Sequence, residues 1–83
     1  MKKIFESDYN NAGSYYSTEK IYVYAIESDD EWAELESMTF KERCEYFDIY
    51  EEQSVVPGAK YHRYEFEVTD AHMIITETVA LNV

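Results

Sequence analysis

Two helix-start signals follow each other closely in the middle of the chain, and they restrict its fold more than any other feature. Ser28-Asp29-Asp30-Glu31 and Thr39-Phe40-Lys41-Glu42 each set a hydroxyl residue three positions ahead of a glutamate. In that pattern the hydroxyl accepts the glutamate's N–H and the glutamate reaches back to cap the turn. Two short helices within 28–52, with almost no loop between them, are predicted. Asp29, Asp30 and Glu31 in the first turn also suit the positive end of the helix dipole. In the first helix Trp32, Leu35 and Met38 share a stripe and are expected to face the core, leaving Asp30, Glu31 and Glu34 outside. In the second, Phe40, Cys44 and Phe47 form the apolar row. Lys41, Glu45, Asp48 and Glu52 form the outer row, and Tyr46 and Tyr50 flank it as an aromatic pair.

The segments on either side alternate with the period of strands. Lys20–Glu27 carries Ile21, Val23 and Ala25 on one face and Tyr22, Tyr24 and Ile26 on the other, which predicts a strand apolar on both sides. Val56-Pro57-Gly58-Ala59 reads as a type II turn that stops the helical part. A hairpin follows, built from 60–69 and 73–81. A turn at Thr69–His72 sets Val68 opposite Met73 and Phe66 opposite Ile75. In that register Glu77 falls on the apolar face opposite Tyr64, which calls for a bulge or a slipped register toward that end. Residues 2–7 add a possible N-terminal strand, and Asp8–Ser17 is turn chemistry. The expected fold is one α+β domain spanning 1–83, ordered (β)-β-α-α-β-β. It has a small antiparallel sheet of three or four strands and a two-helix layer on one face. The opposite face is expected to carry Tyr22, Tyr24, Arg63, Glu65, Thr76 and Thr78.

Charge is unevenly placed. Of a formal net charge of −11, the stretch 27–52 holds eleven acids against two bases, while the remaining residues hold seven against five. Such a field repels nucleic acid and anionic lipid and attracts basic surfaces. No run approaches the roughly 20 apolar residues of a membrane span. The lysines near the start have no apolar stretch behind them, so no signal peptide is expected. A single cysteine rules out an internal disulfide and fits a reducing, cytoplasmic setting.

Catalytic and metal chemistry find little support. Cys44 lies in the apolar row of an acidic helix, surroundings that raise a thiol pKa, the reverse of what a nucleophile needs. His62 and His72 have no zinc-binding spacing, although His62 comes within reach of Glu77 or the N-terminal loop. No glycine-rich loop precedes a helix, and SDDEWAELE lacks the ligand alternation and central glycine of a calcium loop. No cofactor and no enzymatic activity are expected.

An acidic helical face suggests a non-enzymatic binding module. Asp30, Glu31, Glu34, Glu45, Asp48 and Glu52 would present phosphate-like charge to a basic nucleic-acid-binding protein, a nuclease or an effector complex, with Tyr46 and Tyr50 as anchors. Like charges in a row destabilise a helix slightly, so the Glu45–Asp48–Glu52 row would be kept for binding. In size and charge the chain resembles small acidic inhibitors of nucleases and of restriction or CRISPR machinery from phages and other mobile elements, nuclease immunity proteins and some antitoxins. The resemblance is one of composition, with no shared motif. The alternative is a protein–protein interaction or homo-oligomeric assembly domain, using a strand edge or the Tyr22/Tyr24 face. A monomer or a homodimer fits either reading.

Overall fold

A computed structural model describes residues 1–11, 17–49 and 59–81, with backbone alone at 59–61 and 81. In chain order the elements are β1 (Lys2–Glu6), β2 (Asn10–Asn11), β3 (Ser17–Ala25), α1 (Asp29–Ser37), α2 (Phe40–Tyr46), β4 (Ala59–Val68) and β5 (His72–Leu81). The strands form one antiparallel sheet of five, ordered β1-β3-β5-β4, with the two-residue β2 also pairing β3. The α+β architecture is the expected one, with β1 and β2 both added beside β3. The expected turn at Val56–Ala59 falls mostly outside the described residues. No helix among the described residues is long and apolar enough to cross a membrane.

The hairpin register follows the alternation: Val68 opposes Met73 and Phe66 opposes Ile75. Its turn closes where Thr69 donates its N–H to the His72 carbonyl at 2.8 Å and accepts the His72 N–H on Oγ1 at 3.0 Å. The pairing then runs without a slip through Tyr64↔Glu77 to His62↔Val79, and shifts only between Ala59 and Tyr61. Neither the bulge nor the slip expected at Glu77 occurs.

One face assignment is reversed. Tyr22 opposes Ile75 and Tyr24 opposes Met73, and directly opposed residues share a sheet face. Both tyrosines therefore lie under the helices, and Ile21 and Val23 take the outer face opposite Thr76 and Ile74. Burying the two larger aromatic bodies removes more surface from water, and Tyr24 meets the Phe47 ring at 5.1 Å. The expected outward tyrosine face does not exist. Arg63 and Glu65 do lie there, opposite Thr78 and Thr76.

The core centres on Leu35, Met73 and Ile75, each at most 2% exposed, with Phe47, Phe66, Tyr24 and Met38 packed around them. Trp32 departs from its expected place in this core. Its indole N–H needs an acceptor and finds the Thr69 carbonyl at 3.0 Å, so the ring bridges α1 to the hairpin turn and stays partly exposed. Phe40 is also largely exposed and touches Phe66 edge-on at 5.5 Å.

Helix α2 stops sooner than its apolar row suggested. Asp48 adopts φ 57°, its N–H bonds the Glu45 carbonyl at 3.2 Å, and the Ile49 N–H bonds the Cys44 carbonyl at 2.8 Å. These two bonds around a left-handed residue make a Schellman stop. Asp tolerates that conformation at a cost that glycine avoids. Asp48→Gly is therefore expected to be more stable than Asp48→Ala, which removes the same carboxylate, by roughly 0.5–1 kcal/mol, read as a higher urea midpoint with an unchanged m-value.

Candidate functional site

The helical acids are held by well-defined local structure. Ser28 caps α1 by accepting the Glu31 N–H at 3.1 Å, and Thr39 and Glu42 complete a reciprocal capping box on α2. Asp29, Asp30, Glu34, Glu36 and Glu45 are exposed, and among the described residues no Lys or Arg pairs with any of them. The nearby Arg43 is turned inward, donating from Nη2 to the Leu35 carbonyl at 2.9 Å. Lys3 and Lys20 are engaged by Glu6, at 2.6 and 3.1 Å.

Two expectations about these acids change. Glu31 is not turned outward: its carboxylate takes the Met1 α-ammonium at 2.7 Å and the Glu27 N–H at 3.1 Å. The first of these bonds, then the second, holds its pKa below the usual carboxylate range. It also reaches back to Glu27, where the capping box would have it reach Ser28. Glu45 and Asp48 do not share one helical row either, because α2 ends at Tyr46 and Asp48 lies in the turn beyond it. Tyr46 is exposed at the helix end, its ring edge-on to Phe47 at 5.0 Å. Glu52 and Tyr50 lie outside the described residues.

A second cluster was visible in the sequence only as a misfit. Glu77 is 3% exposed on the inner sheet face, where an unpartnered carboxylate would be very costly. Four donors surround it. Oε1 accepts from the Tyr9 hydroxyl at 2.6 Å and the Tyr22 hydroxyl at 3.3 Å. Oε2 accepts from His62 Nε2 at 2.5 Å and the Tyr64 hydroxyl at 2.8 Å. An ionised carboxylate has about four lone-pair sites and no proton to give, so the proton in the His62 contact is on Nε2.

Burial, the largest single influence on the Glu77 carboxyl, pushes its pKa up. The bonds from Tyr9, Tyr64 and His62 outweigh burial, and the net shift is downward. The same surroundings raise the Tyr9 and Tyr64 hydroxyls, by burial first and then by the bond to Glu77. Lys20 sits beside the group, its Nζ 5.2 Å from the Tyr9 ring centre and 5.3 Å from that of Tyr22.

With its lone pairs filled, Glu77 has none left for a substrate or a metal ion. The arrangement is a clamp: it ties β3, β4, β5 and the segment before β2 to one buried charge. The available signal was an acid at an inward position of an alternating strand, with His62 and Tyr64 on the same face of its neighbour. Nothing local pointed to Tyr9.

Beside the clamp, Tyr22, Tyr24, Phe47, Ile49, Tyr64 and Ile75 line a depression of about 180 Å³. Among the described residues, no three His, Cys, Asp or Glu side chains converge to hold a metal ion. Cys44 is buried in α2. Set against protein-family models, curated proteins and solved structures, the chain matches none of them.

Proposed function

We propose that the chain is a non-enzymatic acidic binding module, acting in the cytoplasm, that inhibits a basic nucleic-acid-binding protein by occupying its phosphate-binding surface. Anti-restriction, anti-CRISPR and nuclease-inhibitor proteins are the classes of that kind. The observation that supports this reading is the uncompensated carboxylate surface of α1 and α2. Asp29, Asp30, Glu34, Glu36 and Glu45 are exposed and without a Lys or Arg partner among the described residues, while Arg43 caps a carbonyl. A surface cleft built for phosphates gains from such charge through faster encounter and matched potentials. The short helices hold the carboxylates without further ordering, which lowers the cost of association.

The test is capture of partners from a host lysate on the immobilised chain, with excess duplex DNA as competitor. The expected result is a basic nucleic-acid-binding protein that duplex DNA displaces and that elutes at moderate salt. A partner held equally well in the presence of DNA and at high salt would point to an interface that the carboxylates do not control.

A further inference from the structure

Strand β4 lies at one end of the sheet, and among the described residues no strand pairs with its outer edge. An edge of this length presents a row of backbone donors and acceptors to any strand that can match it. At the other end, β1 is only five residues long and its pairing shifts between Lys3 and Phe5, features that blunt an edge. Strand β4 has ten residues, and its only shift lies at its start, between Ala59 and Tyr61.

We infer that the outer edge of β4 is a homodimer interface, pairing antiparallel with β4 of a second copy in a register centred on Tyr64. The symmetry of such a pair requires one residue to face its own copy. Charge then selects which residue that is. Centred on Tyr64, Arg63 faces Glu65 of the other copy twice, and Phe66 faces His62. Centred on residue 63 or 65, Arg63 meets Arg63 or Glu65 meets Glu65. Centred on residue 66, Glu65 meets Glu67. A centre at His62 avoids like charges but leaves the C-terminal end of the strand unpaired. Arg63 and Glu65 share the outer face and are exposed, with Arg63 Nη2 3.4 Å from Glu65 Oε1 within the chain. Both side chains are therefore placed to turn across a two-fold axis beside them. Opposite charges directly across an antiparallel pair stabilise it, and like charges destabilise it. The pairing would continue the sheet from one copy into the next and leave the exposed acids of α1 and α2 outside the strand contact.

Sedimentation velocity over a range of protein concentrations tests this. The wild-type chain is expected to dimerise, and to do so more strongly as salt rises, because added ions screen the repulsion between two bodies of −11. Arg63→Glu and Glu65→Arg, each alone, should weaken the dimer roughly tenfold or more. The double swap Arg63→Glu with Glu65→Arg should restore it. Far-UV circular dichroism checks that each variant is folded, and Arg63→Gln with Glu65→Gln replaces any reversal that is not. A wild-type monomer at every concentration and salt would overturn the inference. So would a dimer indifferent to both single reversals, or a swap that fails to recover what they lose.

Discussion

Glu77→Leu is expected to destabilise the fold by about 3 kcal/mol or more, a large share of the roughly 5–15 kcal/mol that holds a small domain together. Leucine matches the apolar character of Ile75 and Val79, the buried residues on the same face of β5. It leaves four donors without their acceptor, and the cost falls unevenly among them. Tyr9 is 46% exposed and turns to water at little cost. The His62 side chain is 3% exposed and cannot, so its orphaned N–H carries the full penalty of an unsatisfied buried group. Glu77→Gln keeps the shape and one acceptor oxygen, and should cost about 1–3 kcal/mol. The wild-type chain should also lose stability in acid, with a sign set by the carboxyl. Its pKa is lowered in the folded state, so its contribution is fully present above the unfolded value of about 4.3 and drains away as pH falls through the folded value. Glu6, Glu31 and Glu42 are lowered as well, and they leave an acid limb in every variant. The informative quantity is the gap between wild-type and Glu77→Gln melting temperatures from neutral pH to about pH 3, which should narrow as Glu77 takes up its proton. A gap that stays constant would mean that the carboxylate is not the group holding the clamp.

That clamp marks the border between what short-range pattern reveals and what only assembly decides. The helix caps at Ser28 and Thr39 are local chemistry, and both helices start there. The hairpin register follows from one turn and one alternation, and it carries through to His62. Strand β3 is different, because both of its faces are apolar. Ile21 and Val23 compete with Tyr22 and Tyr24 for the inside, and the outcome is set by β5, which is distant in sequence. Helix α2 ended early because its stop signal is Asp48 in place of the usual glycine, while Phe47 prolonged the apolar spacing past the stop. Glu77 announced itself as the one charge among the inward positions of β5. Its partners did not, since Tyr9 stands 68 residues away and half-exposed tyrosines are common. Glu31 read as a capping glutamate on the outer face, and its capture by the Met1 ammonium depends on where β1 begins against β3. The acidic surface was therefore legible as composition, but not as a row.

Reversing Asp30, Glu34 and Glu45 to lysine together is expected to weaken binding to the basic partner about 100-fold, from roughly 1 kcal/mol lost per charge. All three are exposed on α1 and α2, and no side chain of the three takes part in a described ion pair or cap. Asp30→Lys gives up a favourable place in the first turn of α1, at about 0.3–1 kcal/mol, so circular dichroism checks that the variant is folded. Such a variant also moves the net charge from −11 to −5, and a loss of overall attraction alone would slow association wherever the charges sat. A matched control separates the two effects. Asp8, Glu67 and Asp70 are exposed outside the helices, and reversing them changes the net charge equally. The measurement is displacement of labelled duplex DNA from the partner by each variant at several salt concentrations. A helical site predicts that the α1/α2 triple loses far more affinity than the control, mainly through faster dissociation, with a shallower dependence on salt. Equal losses in the two triples would reduce the acids to a diffuse field that aids encounter and solubility, and the proposal that α1 and α2 imitate phosphate would fall. Asp48→Gly supplies a finer reading of the same surface. It removes one carboxylate at the end of α2 while suiting the left-handed backbone there, so weaker displacement by a chain that melts no lower than wild type would separate binding from folding at a single residue.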